Sequence, residues 1–159
     1  MADPAFVTHD HSQCSGDALA RAEAVVEAAG AKLTPVRRRA LEILLSEHRA
    51  FGAYEVLDRL AADGFAKQPP VAYRALDFLV KHGLAHRIER LNAYAACTRP
   101  DHDHVPAFLI CRACKGVAEA ETQLDQGRLG QAAKAAHFTI ERIAVEAEGL
   151  CPDCAQEAE

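Results

Sequence analysis

The sequence predicts an α+β fold in two modules: three or four short helices closed by a two-stranded hairpin, then a small β-β-α-β unit. Three observations lead there. Apolar residues recur at helical spacing as far as Gly83, and in short strand-like runs beyond it. Charge divides near the same place: residues 31–92 carry eleven Lys/Arg against seven Asp/Glu, a balance of +4, and residues 93–159 carry six against eleven, a balance of −5. Five of the six cysteines lie at or beyond Cys97. The formal charge of −5 over 159 residues therefore conceals two segments of opposite sign, with different partners.

Composition bounds the class. At 50% hydrophobic and 26% charged residues, the chain matches ordinary globular proteins and excludes a disordered, collagenous or membrane-spanning one. No apolar run approaches the ~18 residues of a membrane span. The first sixteen residues are acidic and His-containing, without the basic-then-apolar pattern of a signal peptide, so a cytoplasmic address is expected. There, cysteines remain thiols or bind metal. The expected organisation is a tail over 1–16, a first domain over 17–97, a hinge over 98–105, and a second domain over 106–159.

Leu19, Ala22, Val25, Val26 and Ala29 line one face of a first helix that Gly30 stops. Thr34-Pro35 reads as an N-cap and a first-position proline opening a second helix with Val36, Ala40, Ile43 and Leu44 inside. Val56, Leu57, Leu60 and Ala61 mark a third helix, ending at Asp63-Gly64. A fourth starts near Pro69-Pro70 and runs through Leu76 and Leu79 to Gly83. Leu84 to Glu89 and Ala93 to Cys97 then form a hairpin around Arg90-Leu91-Asn92. This order is that of a winged helix-turn-helix, whose last helix enters the DNA major groove. In the second module, strands are expected at Phe108 to Ile110, near Gly116 to Ala120, and from Phe138 to Val145. Leu124, Leu129, Ala132, Ala133 and Ala136 mark the helix before the last of them.

The most specific motif is a pair of CxxC knuckles, Cys111/Cys114 and Cys151/Cys154. Two thiolates two residues apart can both reach a tetrahedral zinc, and two knuckles complete a Cys₄ structural site. The alternative is two independent redox pairs. The 36 residues between the knuckles exceed the ~15–20 of a compact zinc ribbon, and the intervening helix and strand must bring the second pair back. His86, Cys97, His104 and Glu119 form a second candidate set, drawn from hairpin, hinge and second module. The same residues could instead be an ordinary wing histidine and a small core thiol. His102, Glu121 and His137 are a third grouping, and His9, His11 and Cys14 make an HxHxxC pattern in the tail.

The sequence resembles the ferric uptake regulator superfamily, and more narrowly its zinc uptake regulator branch. The resemblance runs from about Leu19 to Cys154 and rests on Leu33-Thr34-Pro35-x-Arg37, Tyr73 to Leu79, Gly83-Leu84-Ala85-His86, Cys97 through His104 to Cys114, and Gly149-Leu150-Cys151-x-x-Cys154. It implies a homodimeric, metal-activated transcriptional repressor with an N-terminal winged helix and a C-terminal dimerisation domain. It further implies structural zinc on the four knuckle cysteines and a zinc-sensing site at His86, Cys97, His104 and Glu119. Two zinc ions per subunit follow, one structural and one regulatory, and the thiolate of Cys97 favours zinc over harder metals. Val71 and Ala72 depart from the Ser/Thr and Val that relatives commonly carry, and Asp103 stands where many have His.

The expected function is zinc-dependent repression of zinc uptake and homeostasis genes through a palindromic operator, with no small-molecule substrate and no membrane partner. Tyr73 and Arg74 are the candidate base readers; Arg37, Lys67, Lys81 and Arg87 are candidate phosphate contacts. Rival readings are a relative sensing iron, manganese or peroxide, and, from another class, a zinc hydrolase or deaminase using Glu119 as acid/base. No HxE or HExxH arrangement supports the latter, so no catalytic residue is expected.

Overall fold

The computed structural model describes residue 6 and residues 11–124 and 126–157, apart from the side chains of 11–14 and 121. Four helices come first: α1 (His11–Ala28), α2 (Pro35–Leu45), α3 (Ala53–Ala62) and α4 (Pro69–Lys81). Two strands, β1 (Ala85–Ile88) and β2 (Ala93–Ala96), pair antiparallel as the wing. After a strandless segment come β3 (Val105–Cys111), β4 (Val117–Thr122), α5 (Arg128–Ala135), β5 (Val145–Gly149) and the short α6 (Pro152–Glu157). No helix among the described residues is long and apolar enough to cross a membrane.

The amphipathic spacing works as expected. α4 buries Ala72, Ala75, Leu76 and Leu79, an i, i+3, i+4, i+7 stripe, against Leu41, Leu44, Val56 and Leu60 of α2 and α3. It ends where Gly83 takes φ +69, so that Leu84 N–H reaches back to Leu79 O at 2.8 Å. That left-handed closure suits glycine because a Cβ would be strained there. The loop after α2 does more than connect. Phe51 bridges to Tyr94 of the wing, and Arg49 bridges to Gly116 at the start of β4.

A second core joins the modules. Ile88 and Ala95 of the wing pack with Phe108, Ile110 and Val117 of the C-terminal sheet. That sheet has the order β4-β3-β5, with β3 antiparallel to β4 and parallel to β5.

Three expectations need correction. The last strand lies at 145–149, not 138–145. Parallel pairing sets Val145 beside Ala107, so residues before 143 run past the start of β3 and have no strand to pair with. The tail is shorter than sixteen residues, because α1 begins at His11, ahead of the apolar stripe that marks its buried face. β3 begins at Val105, inside the expected hinge, because it pairs with Thr122. α4, by contrast, opens with Pro69-Pro70 as expected, and Gln68 holds the cap position without a side-chain bond.

Candidate metal centres and nucleic-acid face

The first knuckle is the turn between β3 and β4, and the second joins β5 to α6. Parallel registry puts Cys111 beside Gly149, with Arg112 N–H donating to Gly149 O at 2.9 Å. The sheet therefore closes the 36-residue gap. The four sulfur atoms lie within 4.8 Å of one another, and Cys114 Sγ is 3.8 Å from Cys151 Sγ. That is far beyond a disulfide bond and matches the sulfur spacing of about 3.8 Å that a tetrahedral Zn–S length of about 2.3 Å requires. Backbone amides point at the sulfurs: Cys151 N–H at Cys111 Sγ and Gly116 N–H at Cys114 Sγ, both 3.4 Å. The amides of Cys114 and Cys151 hold the Cys111 thiol down at about 6, while sharing with Cys151 and burial push Cys154 up to about 12. One thiolate is thus preformed, and the set suits a soft, thiophilic cation.

The second centre lies where the modules meet. His86 comes from β1, Cys97 follows β2, His104 precedes β3 and Glu119 sits on β4; their donor atoms fall within 4.8 Å of one another. Cys97 Sγ is 3.7 Å from His104 Nε2 and 3.9 Å from Glu119 Oε1. Glu119 Oε1 is 2.5 Å from His104 Nε2 and 3.1 Å from His86 Nε2. Ligand spacings around zinc are about 3.3–3.8 Å, so the sulfur already stands close to position and the nitrogen–oxygen pairs are drawn tighter.

Three observations fit this set to a cation. His86 Nε2 is buried and, although near Glu119, lacks hydrogen-bond geometry to it. His104 Nδ1 faces the His102 carbonyl at 2.7 Å, so Nδ1 carries a proton and Nε2 is presented to the site. Between Nε2 and the Glu119 carboxylate, both lone-pair bearers, a proton or a metal must lie. Burial pushes Glu119 upward, but His86, the Thr98 N–H and His104 outweigh it and hold the carboxyl at about 2. Burial and the Glu119 charge push the Cys97 thiol up to about 12. Thr98 anchors the carboxylate's other oxygen, through N–H at 2.9 Å and hydroxyl at 3.1 Å.

On α4, Tyr73 (41% exposed) and Arg74 point away from the buried stripe into solvent. Lys67 and Lys81 flank the helix and are exposed; Lys67 reaches Asp58 only at 3.6 Å. Arg87 lies on the wing, bonded to Asn92 at 3.1 Å. Arg37 differs from these: its guanidinium stacks 3.7 Å over the Phe78 ring and donates to Lys32 O at 2.9 Å, tying α2 to α4.

The sequence profile of the Ferric uptake regulator family matches residues 28–148. The chain belongs to the ferric uptake regulator family. Within it, the chain is similar to the Zinc uptake regulation protein of Escherichia coli (strain K12), 33% identical over 139 residues, which are 87% of this chain and 81% of that relative. In structure it is similar to a zinc uptake regulator complexed with zinc and DNA (TM-score 0.84, 32% identity, covering 91% of this chain and 97% of the other). It is also similar to holo XcZur (TM-score 0.78, 35% identity, 87% and 96% covered). Apo XcZur, covered to 99% over 90% of this chain, overlays at a TM-score of only 0.52.

Two expected groupings include side chains that lie outside the described residues. In the third metal grouping, the Glu121 side chain lies outside the described residues. His102 is solvent-exposed beside Asp101 at 3.2 Å, and His137 follows α5 with φ 52. Of the HxHxxC pattern, His9 and the side chains of His11 and Cys14 also lie outside the described residues. Conversely, three participants carry no motif: Thr98, which orients Glu119; the His102 carbonyl, which sets the His104 tautomer; and Phe108, whose ring centroid lies 5.4 Å from that of His86. No spacing or residue type marks them in the sequence.

Proposed function

We propose that this member of the family is a zinc-responsive, DNA-binding transcriptional repressor of zinc uptake and homeostasis genes, acting in the cytoplasm as a homodimer on a palindromic operator. The observation that carries the reading is the His86/Cys97/His104/Glu119 cluster, whose ligands come from the wing, the connecting segment and the C-terminal sheet. When bound, zinc supplies coordinate bonds that tie these three parts together. His86 brings the wing to the site; Cys97 and His104 bracket the connecting segment; Glu119, held by Thr98, supplies the fixed point on the sheet. The orientation of α4 relative to the sheet then depends on metal, and by linkage metal and DNA tighten each other by the same factor, typically about 5–150-fold.

Several further observations support this reading. The relatives similar to this chain include a zinc uptake regulator bound to zinc and DNA, and the chain overlays better on holo than on apo XcZur, which supports the reading. Each cluster offers four protein donors, which fill a tetrahedral zinc and leave no open position for a substrate, as a regulator requires and a zinc hydrolase does not. Sulfur and imidazole donors favour zinc over iron or manganese. Leu109 (43% exposed), Leu129 (48%) and Phe138 (67%) are large apolar side chains left open on the C-terminal module, as a dimer surface would be. Tyr73 and Arg74 are the proposed base readers, and Lys67, Lys81, Arg87 and the partly committed Arg37 the phosphate contacts.

Metal analysis paired with operator titration tests the reading. About two zinc ions per subunit are expected, one in each cluster. Cys97→Ala should lose one zinc and the zinc response of DNA binding while staying folded. Cys111→Ala should lose the structural zinc and unfold or dissociate. A Cys97→Ala protein whose DNA affinity still responds normally to zinc would overturn the assignment.

A further inference from the structure

The wing meets the C-terminal sheet at a second place, away from the metal cluster. At the wing turn, Glu146 of β5 accepts two successive backbone amides: Glu89 N–H on Oε1 at 2.7 Å and Arg90 N–H on Oε2 at 2.9 Å. The next side chain on the same face of β5, Glu148, receives the Arg90 guanidinium in two bonds, from Nε at 3.0 Å and Nη2 at 3.2 Å. These contacts span 56–58 residues of sequence and link only the two modules.

The sheet register explains why the two places belong together. Phe108 is paired with Glu119 on β4 and with Glu146 on β5. Directly opposed residues on neighbouring strands point to the same face, so Glu119, Phe108 and Glu146 form one row across the sheet, facing the wing. Glu119 meets His86 at one end of the row, the Phe108 ring supports the His86 ring in the middle, and Glu146 holds the turn that follows β1 at the other end. The apolar packing of Ile88 and Ala95 on the sheet is non-directional, so polar contact at one end alone fixes the wing's direction only there. Contact at both ends defines its orientation.

We propose that Glu146, assisted by the Arg90–Glu148 pair, is a positioning latch: it fixes the wing turn on the sheet so that metal at the distant end of the same row sets a single orientation of the DNA-reading helix. The proposal rests on the repressor reading above. Its ligands are the wing's own backbone amides, and it contributes no donor to either metal centre.

The test uses the full-length protein, zinc-loaded, as wild type, Glu146→Ala and Arg90→Ala, with hydrogen exchange of the Glu89–Arg90 amides and DNA affinity as the two readouts. In the wild type the two amides should be protected. In Glu146→Ala they should exchange freely, zinc content should be unchanged, and DNA affinity at saturating zinc should fall roughly tenfold, inside the usual range of coupling. Arg90→Ala keeps both amides bonded and should lose less. Free exchange of these amides in the zinc-loaded wild type overturns the latch, as does a Glu146→Ala protein with wild-type DNA affinity. A wild type that protects the amides but binds no operator with zinc would instead refute the repressor reading.

Discussion

Glu119 and Cys97 illustrate how much chemistry one contact decides. Both are buried, which raises each of them; burial and the facing carboxylate carry the thiol to about 12, whereas imidazoles and an amide overcome burial and hold the carboxyl at about 2. In metal-free protein the signs are opposite. The Glu119 value lies below its ordinary 4.5, so its contribution, roughly 3 kcal/mol, is present above about pH 4.5 and lost as pH falls through about 2. The Cys97 value lies above its ordinary 9.0, so its contribution is present below about pH 9 and lost as pH rises through about 12. Zinc binding needs the thiolate and an already ionised carboxylate. Apparent affinity at this centre should therefore rise about tenfold per pH unit between about pH 7.5 and 9, from the Cys97 proton alone. Competition titration against a zinc chelator measures the slope, and a pH-independent affinity there would contradict the assignment of Cys97 as ligand.

At the scale of elements, α4 carries two separable demands. Its inner stripe packs the helical core; its outer face presents Tyr73 and Arg74. Arg74→Ala should leave the fold intact and weaken the operator by about 1–3 kcal/mol, with relaxed preference at one base pair. Lys81→Ala should weaken all duplexes alike and lower the slope of affinity against salt by about one charge. Binding isotherms on operator and scrambled duplexes at several salt concentrations distinguish the two, and equal loss on both duplexes for Arg74→Ala would remove it from base reading. The end of α4 offers a purely conformational test. A Cβ at Gly83 meets nothing within 4 Å, so Gly83→Ala should cost only the left-handed backbone, about 1–2 kcal/mol, in urea unfolding with unchanged m-value. No measurable cost would mean that the closure of α4 is not held at this φ.

At the scale of the molecule, the two centres hold different things. The Cys₄ cluster joins the β3–β4 turn to the end of β5 and thus closes the C-terminal sheet on itself. The mixed cluster and the Glu146 contacts join the wing to that sheet. On the proposed reading, a chelator strong enough to empty both centres should act in two stages: loss of DNA binding first, with far-ultraviolet dichroism intact, then loss of β-structure and of the proposed dimer as the Cys₄ site empties. Sedimentation and circular dichroism recorded along one chelator titration give the order. Unfolding that precedes loss of DNA binding would reverse the roles given to the two centres. Arg49 adds a third join, bridging to Gly116 beside the first knuckle while paired with Glu47 and Glu55, so the structural centre also touches the helical module.

Local rules in the sequence were enough for α2, α3, α4, the hairpin and the knuckles. Helical spacing, a glycine at the end of α4 and Cys-x-x-Cys pairs act over a few residues, and α2, α3, α4 and both knuckles lie where those rules put them. Splitting the net charge of −5 by position likewise separated a basic module from an acidic one. Residue type and position made His86, Cys97, His104 and Glu119 a candidate set, and the resemblance gave that set a zinc-sensing role. What tertiary structure decided was long-range: the register that carries β5 to 145–149, the row formed by Glu119, Phe108 and Glu146, and the support that Thr98 and the His102 carbonyl lend the ligands. A strand's partner and register depend on which surfaces bury together, and a carboxylate's role on what faces it across the fold. Neither is a property of the neighbouring residues in the chain.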